Sequence, residues 1–171
     1  MTSARKITIF DDRISGAHGQ FDLPFDWRLL KAQLIAESEL KPSAKSAAGA
    51  MGLAQFMPET WTEWLQKLRL PANTSPYDAA ASIKCCAAYM QSLLSGWSAP
   101  RPDIDRYCLA LASYNAGMKN LIKAQKLAGG SNAYYAIIAQ LPEVTGTDNA
   151  RQTTDYVTRI LSEWQSMILT G

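Results

Sequence analysis

The stretch Asp26–Leu40, DWRLLKAQLIAESEL, decides the architecture. At about 100° per residue, Leu29, Leu30, Leu34 and Leu40 fall on one face of a helix. That helix opens on the acidic Asp26 and stops before Pro42, which disfavours helical geometry at Lys41. Glu37 falls inside the leucine stripe, whereas Glu39 points the other way, beside Lys31. Burial among leucines disfavours a charged carboxylate and would raise the pKa of Glu37, the condition of a general acid near neutral pH. A helix glutamate that snorkels to solvent or pairs with a basic side chain fits the same pattern, so periodicity leaves both readings open.

Downstream lies KPSAKSAAGAMGLAQF (41–56), small and glycine-rich, a loop that lets backbone come close to whatever Glu37 faces. The same composition also describes a loop with no ligand at all. Helical periodicity returns in MPETWTEWLQKL, where Pro58 suits a first turn and Glu59 favours its dipole. It continues through AAASIKCCAAYMQSLLSGW, closed by Gly96, and IDRYCLALASYNAG, ended or bent by Gly117. MKNLIKAQKLA, SNAYYAIIAQLP and NARQTTDYVTRILSEWQSMIL complete the set. Strand-like alternation is almost absent. The expectation is an all-α chain, a single compact domain of six or seven helices over residues 26–171. It is preceded by an irregular N-terminal arm, residues 1–25, in which KITIF (6–10) reads as extended.

Composition narrows the chemistry. A chain of 171 residues, 47% hydrophobic, is long enough for one real core. Net charge is +2 without a block of like charges, so nothing is built to wrap a nucleic-acid backbone, although anionic cell-surface polymers could attract it weakly. No apolar run is long enough for a signal-peptide core or a stable membrane insertion. The reading is a protein made and kept in the cytoplasm until another device releases it. Cys85, Cys86 and Cys108 have no framework spacing and read as small buried apolar residues in a reducing compartment. With His18 as the one histidine, neither a zinc ligand set nor a Cys/His nucleophile pair is available.

Four motifs add what spacing cannot. ES at Glu37–Ser38, SAAGAMGLAQFMP from Ser46 to Pro58, SYNAG from Ser113 to Gly117 and QTTDYVTRI from Gln152 to Ile160 occur in that order. In order and spacing they resemble the motifs of the soluble lytic transglycosylase family, over about residues 26–168. The resemblance implies a lysozyme-like fold closest to goose-type lysozyme, and peptidoglycan as substrate. It implies that Glu37 is the catalytic acid/base and that Ser46, Gln55 and Met57 line the glycan groove beside it. Tyr114 and Asn115 match the pair near the carboxylate and the sugar's acetamido group, and Tyr156 matches the tyrosine of the last motif. As residues alone, Tyr156 also reads as an ordinary helix aromatic. Two positions depart from the family pattern: Gln152 stands where glutamate is usual, and Ser113 where alanine is usual. A contact needing a carboxylate at position 152 is therefore in doubt, while the acid itself is intact.

The resemblance implies a one-carboxylate mechanism without metal or organic cofactor. The N-acetyl group of N-acetylmuramic acid attacks C1 internally, and its C6 hydroxyl then displaces it to leave a 1,6-anhydro end. Water completes the reaction instead in goose-type lysozymes, so a hydrolytic muramidase is the alternative. A cell-wall lyase without an export signal resembles a bacteriophage endolysin held in the host cytoplasm until a holin opens the membrane. A virion-associated lysin would need no signal either. Expected partners are peptidoglycan glycan strands and, functionally, a holin, with the chain acting as a monomer. The rival of another class is a non-catalytic peptidoglycan-binding protein on the same fold, against which the presence of Glu37 argues.

Overall fold

The computed structural model describes residues 8–170. Among them the chain forms nine helices: α1 (Asp11–Gln20), α2 (Arg28–Ser38), α3 (Pro58–Lys67), α4 (Ala79–Gly96), α5 (Asp103–Ala116), α6 (Met118–Leu127), α7 (Tyr134–Ile138), α8 (Pro142–Thr145) and α9 (Thr147–Thr170). The only β pairing among the described residues is two isolated bridges, Lys45 with Met51 and Met51 with Phe56. The all-α expectation holds, and seven of the helices are those the periodicity indicates.

The other two arise for different reasons. SNAYYAIIAQLP divides because Pro142 cannot continue α7 and instead starts the short α8. Helix α1 occupies a segment expected to be irregular. Asp11 and Asp12 in its first turn and His18 in its last suit the helix dipole, but its buried stripe is only Ile14 and Ala17, with Phe10 just ahead. Such a thin stripe, carrying Gly16 and Gly19, gives little periodic signal. Of the KITIF stretch, Lys6 and Ile7 lie outside the described residues; Thr8–Phe10 is a turn, with Asp11 N–H donating to Thr8 O at 2.9 Å.

The chain's internal contacts group into two compact units. The first comprises the chain up to Tyr89 together with the segment from Ser162 onward; the second is Met90–Leu161. In the first, α1 packs on α2, and Leu29, Leu30, Leu34, Leu53, Phe56 and Ile83 are buried. Trp64 and Phe56 each face Tyr89, with ring centroids 5.3 and 6.2 Å apart. Phe25 meets Trp164 edge-on at 5.6 Å, joining the start of the α2 region to the end of α9 inside the same unit. In the second unit α5 packs on α6 and α7, and α6 also on α8, around Tyr107, Leu109, Leu111, Leu121 and Ile137. Complete burial of each such side chain contributes about 1.5–3 kcal/mol.

Candidate active site

Helix α2 starts where its sequence says it should. Asp26 accepts the backbone N–H of Arg28 at 2.9 Å and its guanidinium Nε at 2.7 Å, which caps the first turn. The Arg28 hydrogen bond holds the Asp26 carboxyl below its ordinary value of 3.8. Leu29, Leu30 and Leu34 are buried as expected, but so are Lys31, Ala32 and Gln33, because α2 is covered on more than one side; Leu40 is buried too, beyond the end of the helix at Ser38. Glu37, one residue before the helix ends, is half-buried, not enclosed as the leucine setting predicts.

The pairing expected of its neighbours differs. Glu39 bonds Lys41 at 2.8 Å with both side chains exposed, while Lys31 is buried and bonds Asp11 of α1 at 2.7 Å. The Lys31 ammonium also lies 5.9 Å from the Trp27 ring, and its partner Asp11 is supplied by α1, the helix the sequence did not indicate.

The chain leaves α2 through two consecutive left-handed residues, Glu39 at φ 55° and Leu40 at φ 58°. It then folds on itself. Ser46 N–H donates to Ala50 O at 2.9 Å, and Ala50 N–H returns to Ser46 Oγ at 2.9 Å. Met51 and Phe56 exchange two backbone bonds at 2.9 and 3.1 Å, and Gly52 N–H donates to Ala44 O at 2.9 Å. Two buried hydroxyls pin this bridged loop to helices: Ser38 Oγ donates to Leu53 O at 2.8 Å, and Ser82 Oγ of α4 accepts Ala54 N–H at 3.2 Å. Gly52 is required where it stands. Its φ is +75°, and a Cβ there would overlap the carbonyl oxygen of Pro76.

The three loop residues expected to line a groove have distinct placements. Ser46 is half-buried, and its hydroxyl oxygen accepts Ala50 N–H. Gln55, at φ 50°, uses its amide nitrogen to tie Gly52 O at 2.9 Å and Ala44 O at 3.3 Å. Met57 is 44% exposed at the residue that leads into Pro58, the first residue of α3.

Tyr114, Asn115 and Tyr156 belong to the second unit. Helix α5 ends at Gly117, whose φ of 87° and N–H bond to Ser113 O at 2.9 Å turn the chain directly into α6. Tyr114 is half-buried and Asn115 exposed on the last turn of α5. Ser113, which departs from the usual alanine, is fully buried and accepts the Trp97 indole N–H at 3.0 Å. Tyr156 is buried and lines a cavity of about 280 Å³ with Asn115, Gln152, Asp155 and Arg159. A second cavity of about 250 Å³ shares Asn115 and Gln152 and extends to Asn120, Thr145, Asn149 and Thr153. Thr153 Oγ bonds Asn115 Oδ1 at 2.8 Å across 38 residues of chain.

Thr153, Asp155 and Arg159 were not singled out from sequence. The signal was there in part: Gln152, Asp155, Tyr156 and Arg159 stand at i, i+3, i+4 and i+7 on α9, one helical face. Among the described residues no cluster of three or more His, Cys, Asp or Glu could hold a metal ion, and no helix is long and apolar enough to cross a membrane. Cys85, Cys86 and Cys108 are buried, and burial pushes the thiols of Cys85 and Cys108 up to about 12. They are packing residues, not nucleophiles.

Comparison with known proteins bears on the family and the fold. The membrane-bound lytic murein transglycosylase F of Maricaulis maris is 36% identical over 107 residues, 63% of this chain and 22% of that protein. Its namesake in Shewanella halifaxensis is 38% identical over 103 residues, 60% of this chain and 20% of that protein. The chain thus spans about a fifth of the length of these curated relatives. The crystal structure of an inactive mutant of lytic transglycosylase Slt from Pseudomonas aeruginosa superposes on 94% of this chain and 24% of its own, with a TM-score of 0.73 and 24% identity, a likeness of fold. A family model for the transglycosylase SLT domain matches residues 23–137, from just before α2 to α7, including the glutamate, the bridged loop and the Tyr114–Asn115 pair. This chain belongs to the transglycosylase SLT domain family.

Proposed function

We propose that this protein is a peptidoglycan lytic transglycosylase that cleaves the β-1,4 bond between N-acetylmuramic acid and N-acetylglucosamine. The observation that carries the reading is Glu37, half-buried on the last turn of α2, with the bridged loop pinned to that same turn through Ser38 and Leu53. A half-buried carboxyl next to such a loop is within reach of a ligand, which is what a general acid requires. Family membership and the names of the relatives support the same substrate.

In this reading Glu37 gives its proton to the glycosidic oxygen as N-acetylglucosamine departs. The acetamido oxygen of the muramic residue bonds C1 as the glycosidic bond breaks, which replaces the second carboxylate of ordinary glycosidases. Glu37, now the base, takes the proton of the C6 hydroxyl. That oxygen bonds C1, the acetamido group leaves, and a 1,6-anhydro end remains. Ser46, Gln55, Met57, Tyr114, Asn115 and Tyr156 serve the substrate as groove and positioning residues. Digestion of purified peptidoglycan with mass spectrometry of the new ends tests this. Anhydro ends support the lyase, reducing ends identify a hydrolytic muramidase of the goose-lysozyme kind, and no release identifies a binder.

The cellular role belongs to the same proposal: an endolysin of a bacteriophage, released to the wall by a holin. Expression with and without a membrane-permeabilising partner tests it; lysis that depends on the partner supports the role, and lysis without it rejects it.

A further inference from the structure

Helix α6 buries Leu121 and Ala124 within the second unit and turns Lys119, Ile122, Lys123, Lys126 and Leu127 to solvent. These five stand at i, i+3, i+4, i+7 and i+8, so they form one stripe along the helix. Two aliphatic side chains lie among three ammonium groups, and Leu127 is 56% exposed. The charge of the stripe is largely unopposed. From α6 to α8 the chain carries three lysines and a single carboxylate, that of the exposed Glu143 in α8, which packs on α6. On α5, Asp103 is taken up by Arg106 at 2.9 Å, and Asp105 accepts the Tyr134 N–H at 2.9 Å. Among the described residues none of the three lysines has an ion-pair partner, in contrast to Lys31, Lys41 and Lys67.

We propose that this face of α6 is a docking surface for an anionic lipid bilayer, with Lys119, Lys123 and Lys126 at the headgroup phosphates and Ile122 and Leu127 entering between them. The contact is peripheral: three lysines and two aliphatic side chains supply a reversible attraction, not an insertion. Charge complementarity fixes the sign of the partner, and the residue types fix its kind. A protein partner would have to hold three long, flexible ammonium stems in single geometries, and protein interfaces are enriched in Arg and depleted of Lys. A fluid anionic surface demands no fixed geometry. It lets the lysine stems snorkel, and it accepts the aliphatic side chains that a soluble polyanion would leave in water. None of the five residues belongs to the glycan groove proposed above, so the surface is independent of the cleavage chemistry.

The test is sedimentation of the full chain with vesicles of phosphatidylcholine alone and with vesicles that also contain phosphatidylglycerol. At low salt, binding to the anionic vesicles should exceed binding to the neutral ones by about 100-fold, the contribution of three lysines near an anionic surface. Added salt should weaken it. Lys119→Gln, Lys123→Gln and Lys126→Gln combined should abolish the preference. Arg13→Gln, Lys67→Gln and Arg69→Gln combined removes the same net charge from exposed positions of the first unit and should retain most of it. Leu127→Ser should weaken anionic binding severalfold and leave its salt dependence in place.

Equal binding to the two vesicle types, an α6 variant that binds like its parent, or an equal loss in the first-unit variant would each overturn the assignment. Binding to soluble polyglutamate without binding to the anionic vesicles would overturn it in favour of an acidic protein. Should the triple α6 variant lose its fold by circular dichroism, Leu127→Ser decides: weakened anionic binding supports the surface, and parental binding rejects it. Vesicle binding is read without peptidoglycan, so its failure leaves the cleavage reading standing.

Discussion

Ser38 Oγ donates to the carbonyl oxygen of Leu53 at 2.8 Å, with both groups buried. The donor is the residue after Glu37, and the acceptor lies in the middle of the glycine-rich loop. One hydrogen bond therefore couples the end of the acid-bearing helix to the loop, and Ser82 holds the next residue, Ala54, from α4. Removing it should be costly in both stability and activity. Ser38→Ala leaves a buried carbonyl unpaired, at about 1–3 kcal/mol. In a chain of this size that corresponds to a Tm lower by about 2–10 °C. Calorimetry checks the first effect, and muropeptide release from purified peptidoglycan checks the second. A variant as stable and active as its parent would show the loop to be held by other means.

Glu37→Gln replaces the carboxyl with a nearly isosteric amide. The variant should keep its circular dichroism spectrum and Tm while peptidoglycan cleavage falls by about 10²–10⁴-fold, the range that a positioned acid contributes. Glu39→Gln is the control. Its side chain is exposed and bonded to Lys41, so cleavage should change little. Parental activity in Glu37→Gln would refute the proton-donor role.

Ser113→Ala restores the residue usual before the Tyr-Asn pair, yet here it should destabilise. The indole N–H of Trp97, itself buried, would lose its acceptor. The expected loss is about 1–3 kcal/mol. Thermal melting measures it, with the 15N indole resonance of Trp97 reporting the lost bond. A variant melting with the parent would mean that the indole finds another acceptor.

Asp26 gives a pH signature. Its folded-state pKa lies below 3.8 because of the Arg28 hydrogen bonds. A depressed carboxylate contributes stability above its unfolded pKa and loses it as pH falls through the folded value. Asp26→Asn should therefore lower stability at neutral pH, and Tm with it, by no more than about 1 kcal/mol of free energy for a partly exposed pair. The difference from the parent should close in acid, below about pH 4. Tm measured from pH 7 to pH 2 checks this, and a gap that widens with acid contradicts it.

Much of this architecture is written in short-range pattern. The leucines of α2, the proline at the start of α3 and the glycine at the end of α5 act within one or two helical turns, and helix geometry turns such local spacing into faces, starts and stops. The glycine-rich loop was legible for the same reason. Tertiary structure decided the pairings between distant residues: Lys31 with Asp11, Ser38 with Leu53, Trp97 with Ser113 and Asn115 with Thr153. It also turned Gln55 inward as a tie within the loop, and made a helix of Asp11–Gln20 despite its thin stripe. A hydrogen-bond partner is chosen by proximity after folding, and burial depends on what packs on top. Neither leaves a period in the chain, so local spacing marked the helix and the loop, the motif resemblance singled out Glu37, and the folded core selected the groups that hold them in place.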